Sequence, residues 1–258
     1  MRILGGLTLA LASIIGTISQ VSAADLPVKA APAAIAVSAW YLRADIGMSN
    51  QQFDRLSHPS YLTAPGFTWL DKGGFESAPF YLIGIGYQVN KWLRLDVTGE
   101  YRGKSGFHAL DRYEQGGCPA PFCTNDYSAT KSEWVLLANA YIDLGTYWSV
   151  TPFVGAGVGV AQIFIEHFRD VNVIAAGGGW ADTGKSTNFA WALHAGASYK
   201  ATPNFAIVVS YRYLNLGDAE SGILQNLVPG AGSGVVSPVT FKDIYSHDVM
   251  LGVRWSFL

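Results

Sequence analysis

Few side chains in this sequence stand at spacings that could do chemistry. The stretch TPFVGAGVGVA places Gly155, Gly157 and Gly159 among small apolar residues. A dinucleotide-binding turn needs G-x-G-x-x-G at the junction of a strand and a helix, so that bare backbone can meet a pyrophosphate at the helix N-terminus. Here the spacing is G-x-G-x-G, a period of two, which is the repeat of a strand. His58-Pro59-Ser60 is the one H-x-S occurrence. It falls in an expected loop, without the rigid scaffold that a nucleophile, base and orienting group need. His194 and Ser198 share a strand face, but two strand steps set them about 13 Å apart at a rise near 3.3 Å per residue. His247 and Asp248 are adjacent and therefore point to opposite faces. Asp96 and Glu100 could act as acid and base, yet they sit beside Arg94 and Arg102 and read more simply as ion-pair partners. Cys118 and Cys123, in CPAPFC, lack the second pair or nearby histidine of a zinc site and read as a disulfide closing a small exported loop. No catalytic, cofactor-binding or metal-binding residue is expected from these groups.

The elements that would carry them follow from composition and period. Residues 1–23 begin with Arg2, continue through an apolar stretch and end in Val21-Ser22-Ala23, the pattern of a cleaved secretory signal peptide. Residues 24–39 are rich in Ala and Pro and read as a flexible periplasmic lead-in. The rest, 40–258, holds no further run of some 18 apolar residues able to cross a bilayer as a helix. Yet only 14% of the chain is charged and 13% is aromatic, with 29 glycines. High apolarity without helical spans, in an exported chain, points to strands that cross a membrane as a closed barrel. A formal net charge of -2 argues against a nucleic-acid partner.

Eight segments of about ten residues carry the period-two pattern. They lie near Trp40–Met48, Phe80–Val89, Leu93–Arg102, Glu133–Gly145, Thr151–Ala161, Phe189–Lys200, Phe205–Tyr213 and His247–Leu258. Leu93–Arg102 is the cleanest, with Leu93, Leu95, Val97, Gly99 and Tyr101 interleaved with Arg94, Asp96, Thr98, Glu100 and Arg102. After Ala161 the phase is lost, and QIFIEHF is expected to hold a bulge. Three short connections alternate with four long ones, about Ser49–Ala78, Gly103–Lys131, Glu166–Thr187 and Leu214–His247. That asymmetry predicts an all-β, eight-stranded antiparallel up-and-down transmembrane β-barrel with four long extracellular loops.

Charge decides which face points inward. An Arg facing mid-bilayer lipid would cost roughly 2–4 kcal/mol. The polar face therefore lines the lumen, with Arg43, Arg94, Arg102, Arg212 and Arg254 against Asp45, Asp96, Glu100, Asp143 and Asp248. An eight-stranded barrel is just wide enough for side chains to fill, so these groups are expected to pair into a polar plug. The inward glycines are expected to make room for long side chains of opposing strands. Two aromatic bands face outward: Tyr87, Tyr199, Phe205, Trp255 and Phe257 toward the turns, and Tyr81, Tyr101, Trp134, Phe189, Trp191, Tyr211 and Tyr213 toward the loops.

The lead-in ADLPVKAAP, the run NAYIDLG followed by TPFVGAGVGVA, the segment SYRYLNLGDA and the terminal VMLGVRWSFL together resemble the small surface-antigen, porin-like barrels of alphaproteobacteria, within the broader OmpA/OmpX-type class. The resemblance implies residence among outer-membrane lipid and lipopolysaccharide. It also implies insertion by the outer-membrane assembly machinery, which reads a terminal strand, here Leu251, Val253, Trp255 and Phe257 with Leu258 beyond. Three functions stay open at this point: a structural, surface-exposed antigen or adhesin-like envelope protein whose loops meet host or environmental ligands; a narrow porin using space left by inward glycines; and a lipid A-modifying enzyme, for which no residue constellation stands out.

Overall fold

Alternation of apolar and polar residues becomes strand almost throughout the computed structural model, which describes residues 40–114, 118, 121–174, 177–227 and 237–257. The signal-peptide and lead-in readings fall outside these residues, as does Leu258. In chain order the strands are β1 (Trp40–Gln52), β2 (Arg55–Ser57), β3 (Thr68–Phe75), β4 (Ala78–Gln88), β5 (Leu93–Arg112), β6 (Asn125–Asp143), β7 (Val150–Asn172), β8 (Gly178–Ala181), β9 (Gly184–Lys200), β10 (Phe205–Asn226) and β11 (Pro238–Ser256). One short helix, α1 (Pro59–Thr63), lies between β2 and β3.

Eight of these strands form the wall. Antiparallel pairs join β1 to β4, then β5, β6, β7, β9, β10 and β11 in turn, and β11 returns to β1 through a ladder from Tyr41↔Ser256 to Gln52↔Tyr245. The ring is therefore closed, which leaves no unpaired sheet edge at membrane depth. Short β2 and β3 extend the β1 and β4 side upward against β11 and β5, while β8 pairs with β7 and β10.

The turn end is tight. Trp148 and Ser149 both take positive φ, 49° and 67°, the backbone a two-residue type I′ hairpin needs, here without the usual Asn-Gly. At the first turn the Asn90 Oδ1 accepts from the Trp92 and Leu93 amides at 2.9 and 2.8 Å. The chain ends meet at this side, where the Phe257 amide donates to the Trp40 carbonyl at 2.9 Å.

The loop end departs from expectation. Most of the four segments read as long loops are strand: β5 runs on to Arg112, β6 starts at Asn125, β7 reaches Asn172 and β10 reaches Asn226. The reason is a change of phase in polarity. Below the upper aromatic band the wall is polar inside and apolar outside. Above it Phe107, Ala109, Ile163, Ile165, Phe168, Leu214, Leu216 and Phe241 point inward and are buried, while Lys104, His108, Arg112, Arg169 and Lys185 point outward. Along β7 period two persists through the change, so QIFIEHF holds no break before His167, whose positive φ of 53° marks the bulge; in β5 a bulge between Arg102 and Ser105 accompanies it. Asp111 and Asp170 lie about ten residues beyond Tyr101 and Val160, roughly 30 Å along their strands. The upper half thus stands clear of the bilayer as a barrel with an ordinary water-soluble polarity.

Candidate functional site

The lumen contains three stacked layers, and the lowest is polar. Arg43 Nε donates to Asp45 at 2.8 Å and its Nη1 donates to Asp96 at 3.1 Å and to the Tyr141 hydroxyl at 2.8 Å. Arg94 grips Asp143 with Nε and Nη2 at 3.0 and 2.9 Å. Asp96, expected beside Arg94 and Arg102, instead takes Arg43, the Tyr41 hydroxyl at 3.2 Å and the Asn139 amide at 2.8 Å. Arg254 shares the layer but forms no carboxylate pair among the described residues; its guanidinium lies 5.5 Å from the Tyr41 ring centre. Its register partner is Arg43, which is occupied by Asp45 and Asp96, and so the network expected of Arg254 is not formed.

The middle layer is the densest. Arg102 donates to Glu100 at 2.7 Å, to Asp248 at 2.9 and 3.0 Å and to Ser246 at 2.9 Å, while its Nε lies 2.8 Å from Glu133. Arg212 donates to Glu100 at 2.7 and 2.8 Å and to Asp248 at 2.6 and 2.9 Å. Phe80 lies beneath both guanidinium groups, 5.0 and 5.1 Å from their carbons. Lys131 reaches Gln51 and Glu133 and caps the Phe75 ring at 4.6 Å. Three basic side chains, Arg102, Arg212 and Lys131, thus meet three carboxylates, Glu100, Glu133 and Asp248, so the layer balances in formal charge. Lys131 and Glu133 were missing from the sequence-derived network, since Lys131 lay in an expected loop; continued alternation from Asn139 and Val135 down to Glu133 and Lys131 was the signal.

Above this, the layer is aromatic. Phe75, Phe107 and Phe241 come from β3, β5 and β11 and Phe53 from the link between β1 and β2, and every pair of their rings lies 5.0 to 5.7 Å between centroids. Such edge and tilted packing suits the ring quadrupoles and excludes water.

The inward glycines sit against this filling rather than around a channel. In the ladder Gly86 is opposite Tyr41, Gly155 opposite Tyr141, Gly252 opposite Asp45 and Gly157 opposite Asn139. A Cβ on Gly86 or Gly155 would collide with the tyrosine ring of its neighbour. Each glycine therefore makes room for a side chain on the adjacent strand, not the opposing one. Val154, Val158 and Val160 face out, 43 to 53% exposed.

The candidate chemical groups stay apart. His194 Nε2 lies 3.2 Å from the Asn139 Oδ1, and the Ser198 hydroxyl donates to the Thr151 carbonyl. His247 faces outward to the Tyr211 hydroxyl at 2.6 Å, opposite in sense to Asp248. His58 caps α1 and lies 2.5 Å from the Ser60 Oγ, but its Nε2 is buried without a partner. Cys118 and Cys123 are joined by a disulfide, their Cα atoms 5.6 Å apart, beyond the end of β5. Leu251, Val253, Trp255 and Phe257 form one outward row, 40 to 53% exposed.

At the mouth, Asp111 is fully buried. It accepts from the Tyr127 hydroxyl at 2.6 Å, the Asn125 amide nitrogen of the backbone at 2.9 Å and Asn125 Nδ2 at 3.2 Å. Asp170 stands across the ladder from Tyr127. Burial, and then the nearby Asp111, push its carboxyl up to about 7. A cleft of about 460 Å³ opens in the outer wall where the β7–β9 ladder stops at Ile165↔Gly184 and the β7–β8 ladder begins at Arg169↔Trp180; His167, Trp180 and Asp182 line it.

A closed antiparallel ring, a charge-neutral lumen and an outward apolar belt between two aromatic girdles define a Gram-negative outer-membrane β-barrel of the eight-stranded class. The chain belongs to the outer membrane protein beta-barrel domain family, whose model matches residues 16–257. It is 28% identical over 275 residues to an uncharacterized protein of Brucella abortus, covering 95% of each chain. A candidate adhesin of Rickettsia rickettsii is 26% identical over 228 residues, with 84% of this chain and 87% of that one covered. The outer membrane protein OprG of Pseudomonas aeruginosa superposes with a TM-score of 0.51 at 11% identity, over 86% of this chain and 97% of that one.

Proposed function

We propose that this surface-exposed envelope protein is non-catalytic and acts as a sealed anchor for a rigid, adhesin-like platform. The observation that carries the reading is the continuation of the barrel wall about ten residues beyond the upper girdle, with its own apolar core. A membrane span alone needs only about 9–11 residues per strand. The extra height lifts the loop tips and the Trp180 cleft away from the lipid surface, where a host or environmental ligand can reach them. The adhesin name of the Rickettsia relative supports the same reading. Solute passage is disfavoured because ion pairs and phenylalanine rings fill the lumen among the described residues. Catalysis is disfavoured because His58, His194 and His247 each meet a single polar side chain and no buried carboxylate orients any of them. Lipopolysaccharide surrounds the upper girdle in this account, and the assembly machinery reads the outward row from Leu251 to Phe257.

The orientation is tested by single cysteines, since the two native ones are paired. Leu62, 91% exposed beside the mouth, and Trp148, 97% exposed in the second turn, mark opposite ends. On intact cells a membrane-impermeant maleimide is expected to label Leu62→Cys and to leave Trp148→Cys untouched until the outer membrane is opened. Labelling of Trp148→Cys alone on intact cells would invert the account.

A further inference from the structure

Every carboxylate buried in the lower two layers has a cationic partner, whereas two carboxylates at the extracellular mouth have none. Asp45 and Asp96 pair with Arg43, Asp143 with Arg94, Glu100 and Asp248 with Arg102 and Arg212, and Glu133 with Arg102 and Lys131. Asp111 and Asp170 pair with no Lys, Arg or His among the described residues, and they lie together. Their strands β5 and β7 flank β6, so that Asp111, Asn125, Tyr127 and Asp170 fall on one inward face. α1 brings Tyr61 over them, its ring 6.1 Å from that of Tyr127.

The second observation is a set of orphaned oxygens. Asp170 Oδ1, Asn125 Oδ1 and the Tyr61 hydroxyl are all shut off from solvent and take no hydrogen bond. Asn125 spends its Nδ2 on Asp111 and Tyr127, which turns its Oδ1 away from them. Burying acceptor oxygens unpaired is costly, and burying two like charges more so. Besides the two aspartates, the titratable groups facing this pocket are Tyr113 just past the end of β5, Tyr127 from β6 and Tyr61 from α1, all phenols. Arg112 and Arg169, next in sequence to the two aspartates, point outward and are exposed. What the pocket lacks is positive charge.

We propose that the mouth binds a divalent, oxygen-preferring cation, with Asp170, Asn125 Oδ1 and the Tyr61 hydroxyl as ligands and Asp111 supplying the second negative charge. Two carboxylates match a 2+ ion in charge. Mixed carboxylate, amide and hydroxyl oxygens suit calcium, which accepts irregular geometry and neutral ligands, better than magnesium. Bound there, the ion would tie α1 to β5, β6 and β7 and so fix the first loop over the barrel mouth.

Terbium, a luminescent stand-in for calcium, tests this on the full barrel refolded in zwitterionic detergent. Trp69 lies 5.4 Å from Tyr61 and 5.5 Å from Tyr127 between ring centres, close enough to sensitise a bound ion. At pH 8 the wild-type protein is expected to give sensitised emission that calcium displaces with half-effect at about 0.1–1 mM, the range of extracellular sites. Asp170→Asn and Asp111→Asn are each expected to weaken terbium binding at least tenfold while keeping heat-modifiable gel migration. Should either fail to fold, Asn125→Ala is read in its place. No sensitised emission from the wild type, emission that 10 mM calcium leaves unchanged, or undiminished binding in the folded variants would each overturn the site.

Discussion

Asp248→Ala is expected to destabilise the barrel by roughly 3–5 kcal/mol, the cost of leaving a buried ion network short of one partner. Asp248 accepts from both Arg102 and Arg212, and neither guanidinium has any exposed surface through which water could replace it. Glu100 cannot cover the loss, because both arginines already occupy its oxygens. The measurement is urea unfolding in phospholipid vesicles, followed by tryptophan fluorescence and by gel migration. Removing charge from both sides should hurt less: Asp248→Leu with Arg212→Met is expected to cost less than the sum of the two single changes, since contacting groups in one network are not additive. A loss under about 1 kcal/mol for Asp248→Ala would mean that water reaches the layer.

Phe241→Ala is expected to cost a similar amount, about 3–5 kcal/mol, for a different reason. Its ring contacts Phe53, Phe75 and Phe107 and also faces Phe168 at 6.5 Å, so truncation opens a cavity at the centre of the aromatic layer. The loss should be local. Hydrogen exchange is expected to quicken in the upper halves of β10 and β11 and to stay slow between the girdles, where lipid and the ion network hold the ladder. Equal loss of protection at both levels would show that the two halves fold as one unit.

These two variants mark where the sequence could be read and where it could not. The lipid-facing rows were legible because the bilayer imposes one rule on all eight strands: apolar out, polar in. Trp255, Leu251 and Val154 obey it, as do Arg94 and Arg212 on the other face. Above the girdle the rule reverses. Ile163 turns inward with no change of phase in β7, while a bulge between Arg102 and Ser105 resets the phase of β5 and turns Phe107 inward and Lys104 outward, so a reading keyed to outward apolarity takes the strands to end there. The aromatic layer was therefore hidden in segments assigned to loops. The ion network was legible in membership but not in wiring. Facing follows from period two, whereas the choice of Arg43 rather than Arg94 for Asp96 depends on stagger between strands, which alternation does not encode. The mouth cluster was hidden for both reasons, since Asp111 and Asp170 sit past the reversal and meet only through Tyr127 on the strand between them.

On the proposed reading the barrel is sealed along its length by paired charges and packed phenylalanines. Single-channel recording of the purified wild-type protein in planar bilayers tests it most directly. The structure predicts no current steps above the lipid baseline at any applied potential, whereas reproducible discrete openings from the folded, heat-modifiable species would contradict it.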